Sequence, residues 1–152
     1  MGISDWSTQG YQTGMNLADS LARAAPRYAR MALGAAFLSG IASRFGLWGR
    51  GVGYGSFAGF EEYTAEVNAF MPGWTIPFLA WTATAAELGL GVALVVGLWP
   101  RQVALASAAL LLIFGLAMGL SLGIKSPLDY SVFSASAAAL LLATRTPASR
   151  PT

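Results

Sequence analysis

The chain has no cysteine and no histidine among its 152 residues. It therefore forms no disulfide and offers neither thiolate nor imidazole to zinc, an iron–sulfur cluster or haem, so no metal site is assigned. The five methionines are ligand types for haem, but in an apolar helix methionine serves packing. Any redox work then needs a diffusible substrate or a partner's electron carrier, and no intrinsic cofactor is expected. Charge is scarce too, at 11% of residues against the roughly 25% of soluble domains. The net charge of +2 is too small to suggest a nucleic-acid partner. With 55% hydrophobic residues and a mean hydropathy of +0.57, the composition is that of an integral membrane protein whose first partner is the lipid bilayer. Residues 1–30 lack the basic segment and apolar run of a cleaved signal peptide, and MGISDW lacks the Ser or Thr that myristoylation requires.

What the sequence does have is long apolar runs, one of them interrupted by an acid. Ile76 to Leu98 reads IPFLAWTATAAELGLGVALVVGL, long enough at about 1.5 Å per residue to cross a bilayer, with Glu87 at its midpoint. A charge at the centre of a span costs about 2.5–3.5 kcal/mol on an insertion scale, while each Ile, Leu, Val or Phe favours insertion by about 0.3–0.6 kcal/mol. The ten such residues nearly offset the acid, so insertion is tolerable, but Glu87 does not serve insertion. Gln102 to Ile124 is a second span of 23 uncharged residues, with Gly115, Gly119 and Gly123 at every fourth position to admit a neighbouring helix. Arg27 to Trp48 is a third, anchored at its ends by Arg27, Tyr28, Arg30 and Trp48. Ala36, Gly40 and Arg44 share one face there, and Arg44 either snorkels to water or turns inward to an acid. Leu128 to Ala143 is the fourth, with Ser126-Pro127-Leu128-Asp129 read as its cap.

The expected fold is all-α, an integral membrane four-helix bundle with spans at about 27–48, 76–98, 102–124 and 128–143. Between the first two spans, Phe57, Phe60, Thr64 and Val67 fall at helical spacing opposite Glu61, Glu62 and Glu66, which predicts a short extramembrane amphipathic helix over about 57–70, either a lid or a plain connector. Thr75 is expected to cap the following helix, with Pro77 in its first turn. Residues 1–26 are expected as a flexible cytoplasmic tail with at most a turn of interfacial helix, Pro26 marking the start of the first span, 27–145 as the transmembrane domain and 146–152 as a second cytoplasmic tail. Arg23, Arg27, Arg30, Arg101, Arg145 and Arg150 then fall on one side and Arg44, Arg50 and Lys125 on the other, a six-to-three bias that puts both termini in the cytoplasm.

At mid-bilayer Glu87 is either protonated or ion-paired, with Arg44 as the cation in reach. Protonated, it can donate a hydrogen bond to a carbonyl such as that of a quinone and pass a proton when that carbonyl is reduced. Ala80, Thr84, Glu87 and Gly91 line one face of the helix, leaving room beside the acid for a flat ligand or another helix. Glu87 and Arg44 are thus the candidate catalytic residues, and Ala80, Thr84 and Gly91 the candidate binding face, with quinone as the candidate substrate. A structural tie between helices is the competing reading.

Three stretches in order, RMALGAAFLSGIASRFGLW, LAWTATAAELGLGVALVVGLWPRQVAL and IKSPLDYSVFSASAAALLLA, resemble the DoxX family of small four-helix bacterial membrane proteins. The resemblance runs from Arg30 to Ala143, with the family's acid falling on Glu87 and its basic residue on Arg44. It implies a multi-pass protein of the bacterial cell inner membrane tied to redox metabolism, similar to the DoxD-type subunit of thiosulfate:quinone oxidoreductase, which oxidises thiosulfate to tetrathionate and hands the electrons to quinone. Two functions are expected first: a quinone-interacting subunit of a membrane oxidoreductase, or a non-catalytic structural or assembly subunit of a larger complex. Both imply other membrane subunits or further copies of the chain as partners. A small proton-coupled carrier is the third candidate, disfavoured by four helices without an inverted repeat.

Overall fold

The computed structural model describes residues 4–49 and 51–145, with side chains from residue 17 onward. Arg50, Arg150 and the tail expected at 146–152 lie outside the described residues. Every regular element described is helical: α1 (Ser4–Arg44), α2 (Phe57–Val67), α3 (Ile76–Val96), α4 (Pro100–Leu122), α5 (Lys125–Asp129) and α6 (Val132–Arg145), with a single 3-10 turn at Gly73–Thr75.

The largest departure from the sequence reading is at the start. Where a flexible tail is expected up to Pro26, α1 runs unbroken for 41 residues with Pro26 inside it. An interior proline removes one helical hydrogen bond, at a cost of about 3 kcal/mol. The carbonyl it leaves open belongs to Ala22, in a stretch exposed from Leu17 to Ala25, so that carbonyl is not trapped in a core. Burial begins only at Leu33, and the helix before Arg30 therefore projects beyond the packed bundle.

Helix α1 ends at Arg44, four residues before the Trp48 expected to close it, and a glycine-rich turn leads to α2. Ser56 caps α2, its Oγ accepting from the Gly59 amide at 3.1 Å. Phe60, Thr64 and Val67 are buried while Glu62 and Glu66 are exposed, the amphipathic pattern read from the sequence, although the helix stops at Val67 and not at residue 70. Thr75 stands at the start of α3 without a side-chain cap bond, its hydroxyl donating instead to the Pro72 carbonyl at 2.7 Å, and Pro77 sits in the first turn as expected.

Helices α3 and α4 are joined by a tight turn. Gly97, at φ 85°, lets its own amide and that of Leu98 both bond back to the Ala93 carbonyl. Gly34 on α1 comes so close to Gly91 and Leu94 on α3 that a Cβ there would lie 3.1 Å from the Gly91 carbonyl. The most extensive packing is between α1 and α3 and between α4 and α6. Leu33 and Phe37 of α1, Leu94 of α3, Val103, Ala104 and Ala108 of α4, and Ala139 and Leu142 of α6 form the shared core.

The expected fourth span is two elements, not one. Pro127 is buried inside the short α5, Ser131 adopts φ 55°, and α6 restarts at Val132. Asp129 pairs with Lys125 within α5 and caps no helix among the described residues. Two helical stretches, Gly73–Val96 and Pro100–Leu122, are long and apolar enough to cross a membrane, and Val132–Arg145 is a shorter apolar helix. Large apolar residues also point outward from these helices, among them Phe78, Val92, Ile113, Leu120 and Leu141.

Gly115 provides a direct check of the α4–α6 contact. A Cβ there would stand 2.6 Å from the Phe133 ring, whereas one at Gly119 would meet nothing closer than 3.9 Å. Gly115→Leu is expected to lower stability by about 1–3 kcal/mol, measured by thermal unfolding in detergent, and Gly119→Ala to cause no loss and to raise it by up to about 1 kcal/mol through helix propensity.

Candidate functional site

Arg44, the last residue of α1, turns its side chain inward to α3. Its Nη2 donates to Glu87 Oε1 at 2.6 Å and its Nη1 to Thr84 Oγ1 at 3.0 Å. Because Thr84 and Glu87 are three residues apart on one helix face, a single guanidinium spans both. The Thr84 hydroxyl in turn donates to the Ala80 carbonyl at 2.7 Å, so its one proton is committed and its oxygen is free to accept from Arg44. Both charged residues are deeply buried, Arg44 at 3% exposure and Glu87 at 5%. Of the two orientations read from the sequence, the arginine thus takes the inward one and pairs with the acid.

The pair is enclosed by close helix approach on one side and aromatic rings on the other. On α1, a Cβ at Gly40 would lie 3.3 Å from Glu87 Oε2, so the absence of a side chain there makes room for the carboxylate. At Gly91 a Cβ would stand 3.1 Å from both Phe37 and Leu38, which means that α1 fills the space on that side of the acid. Over the guanidinium lies Phe60 of α2, its ring centroid 3.7 Å from Arg44 Cζ, a cation–π contact. Arg44 Nε is buried and makes no hydrogen bond among the described residues.

Phe60 is held in an aromatic group. Tyr54 meets it edge-on at 5.0 Å and lies 5.3 Å from Tyr63, while Phe57 packs on Trp81 at 4.3 Å. Tyr54 is fixed by its backbone amide, which donates to Ser43 Oγ at 2.9 Å, one residue before Arg44. The left-handed Gly53, at φ 62°, allows this because its missing side chain leaves space for the Ser43 hydroxyl. Burial, reinforced by the neighbouring Tyr63 and Glu87 and opposed by Arg44, pushes the Tyr54 phenol up to about 12. The Tyr63 phenol is also raised, by burial first and then by Tyr130 and Glu66.

Of the five residues singled out in the sequence, Arg44, Thr84 and Glu87 are in direct contact, and Ala80, fully buried, joins through its carbonyl. Gly91 lies one turn further along, against α1. Ala36, placed on Arg44's face by spacing, is exposed. Phe60 and Tyr54 were not singled out as site residues. The apolar face of 57–67 carried the signal for Phe60, since a buried aromatic beside a buried arginine has few other uses, but nothing in the glycine-rich turn marked Tyr54. Among the described residues no three His, Cys, Asp or Glu side chains come together to hold a metal.

Among family models, the one described as DoxX matches residues 25–120, well over half of the chain. The match includes both members of the ion pair, α2 and the Tyr54 turn. No curated protein and no solved structure matches the chain.

Removing one member of a buried pair leaves the other uncompensated, at a cost of about 3–5 kcal/mol, whereas replacing both by apolar groups is close to neutral. Arg44→Met is therefore expected to be strongly destabilising and Arg44→Met with Glu87→Leu to recover most of the loss, in a double-mutant cycle read by unfolding in detergent. The raised Tyr54 phenol gives a second expectation. Between pH 10 and about 12 the folded protein holds a proton that the unfolded chain has released, so stability falls as pH rises through that window. Tyr54→Phe should remove this loss in an alkaline unfolding series.

Proposed function

Since the chain belongs to the DoxX family, a family of membrane proteins, we propose that it is a quinone-interacting subunit of a membrane oxidoreductase, with the Arg44–Glu87 pair at the quinone head group. The observation that carries this reading is the pair itself: an arginine and a glutamate, each at least 95% buried, with a further arginine donor, Nε, left unbonded. A membrane protein keeps an ionisable pair away from water at considerable cost, and such pairs mark sites of proton or ligand traffic.

In this reading α3, α4, α6 and the second half of α1 cross the bacterial inner membrane as a four-span bundle. The six-to-three bias of cations puts both termini in the cytoplasm and α2 on the opposite face. The quinone carbonyls are hydrogen-bond acceptors, and Arg44 supplies the donors. Glu87, once protonated, adds another and gives up its proton as a carbonyl becomes a hydroxyl. Each two-electron reduction consumes two protons, and the electrons come from a partner subunit or a diffusible donor. Thr84 and Ala80 hold Arg44 in place, and Gly91 keeps α1 close enough for Arg44 to reach.

A second reading, a structural or assembly subunit within a larger membrane complex, is favoured by one feature. The space beside Gly91 that a flat ligand would occupy is taken by Phe37 and Leu38. The two readings separate in a binding measurement. With the protein in lipid nanodiscs, a short-chain ubiquinone analogue should quench tryptophan fluorescence saturably. Glu87→Gln should weaken that binding about tenfold or more, as loss of a charge-assisted hydrogen bond predicts. Binding unchanged in Glu87→Gln would overturn the quinone reading, and recovery of the native protein only as a stoichiometric component of a large complex, with no analogue binding, would favour the structural one.

A further inference from the structure

Glu87 is closed off on most sides. Arg44 holds Oε1, the Gly40 backbone stands behind Oε2, and Phe37 and Leu38 fill the Gly91 side. With the α1 side taken, the α2 end of the bundle, where aromatic rings cover the pair, is open as a route for a proton bound for this carboxylate. Most of the groups there cannot carry it. Phe45, Phe57 and Phe60 have no exchangeable proton. The Thr64 hydroxyl is committed to the Phe60 carbonyl at 2.7 Å and that of Thr84 to the Ala80 carbonyl. Ser43 Oγ accepts from the Tyr54 amide and keeps its own proton, and beside it two phenols remain. Those of Tyr54 and Tyr63 make no hydrogen bond among the described residues, and their rings lie 5.3 Å apart between the pair and the exposed end.

We propose that Tyr63 and Tyr54 form a phenolic relay that carries protons between water at the α2 end and Glu87, with Tyr130 at its mouth. The relay rests on the reading of Glu87 as a proton-exchanging carboxylate. The residues are graded in depth, since Tyr130 is 70% exposed, Tyr63 and Tyr54 are half-buried, and Glu87 is buried. They are also close enough to feel one another's charge: Tyr63 that of Tyr130 and Glu66, and Tyr54 that of Tyr63, Glu87, Arg44 and Tyr130. The groups facing the relay are thus Arg44 from α1, Tyr63 and Glu66 from α2, Glu87 from α3 and Tyr130 from the junction of α5 and α6.

The transfer balances. A proton from water, or from Tyr130, reaches the Tyr63 oxygen as the proton already on Tyr63 passes to Tyr54 and that on Tyr54 passes to a Glu87 oxygen, directly or through a water. Each phenol gives one proton and receives one, and Glu87 ends neutral. A phenol that stays protonated across the physiological range suits this work, because it acts as donor and acceptor at once and never waits as a phenolate. Tyr54 is also tied by its backbone amide to Ser43, the residue before Arg44, and its ring rests on the Phe60 ring that covers the guanidinium.

The test follows the carboxyl directly. With the full chain in nanodiscs, a pH jump is monitored by time-resolved infrared spectroscopy at the Glu87 carboxylic acid band, identified by its loss in Glu87→Gln. Tyr54→Phe and Tyr63→Phe are each expected to slow protonation about a hundredfold, the low end of what a positioned proton donor contributes. The final extent of protonation and the thermal unfolding temperature should not change. Tyr28→Phe, at an exposed position on the far half of α1, should keep the parent rate. The parent rate in both Tyr54→Phe and Tyr63→Phe, or a Glu87 band absent at every pH, would overturn the relay. Ubiquinone-analogue binding, read separately, distinguishes the two failures: a parent that binds the analogue through Glu87 while the tyrosine variants keep the parent proton rate loses the relay alone.

Discussion

The structure depends on an ion pair held away from water. Desolvating a carboxylate and a guanidinium costs several kcal/mol per ion, and only close, well-directed contact compensates for it. Arg44 obtains that contact from three directions, with Glu87 in line with one terminal nitrogen, Thr84 with the other, and the face of Phe60 across the guanidinium plane. Neither Glu87 nor Thr84 would be reached if α1 and α3 stood at an ordinary separation. Gly34 and Gly91 bring the two backbones together, and Gly40 leaves the carboxylate room at the point of contact. The small residues of these helices are therefore the geometric condition for the pair as well as a packing motif.

The same constraint explains the turn that follows α1. A helix ending on a buried arginine must leave the site without covering it by accident, and the chain does so through left-handed glycines that no other residue would tolerate cheaply. One of them, Gly53, sits against the Ser43 side chain and sets Tyr54 beside the pair; α2 then begins at a serine cap and lays Phe60 over Arg44. Placement of the aromatic cover is thus continuous with placement of the charge, all within some twenty residues of chain.

Much of this was legible in the sequence because membrane helices obey a simple rule. The two long apolar runs, the amphipathic 57–67 segment and the acid at the centre of 76–98 follow from hydropathy and helical spacing, and those fix which residues share a face with Glu87. The interior of α1 was not legible, because a proline read locally argues for a helix start, and only the exposure of its surroundings makes an interior position tolerable. Ser131 was hidden for a similar reason, since serine carries no signal for a left-handed backbone. Phe60 and Tyr54 escaped because their role is set by which helix end they fold back over, a tertiary fact that periodicity does not encode.

The cover and the charge are also coupled. With Glu87 ionised, Arg44 is neutralised by it, and the Phe60 face supplies a secondary attraction. Anything that neutralises Glu87, whether a proton or a hydrogen-bonded ligand carbonyl taking its place, leaves the guanidinium with Thr84, Phe60 and the unbonded Nε as its whole surroundings. The cation–π contact then carries a larger share of what stabilises the buried cation, about 2 kcal/mol against the several that its desolvation costs.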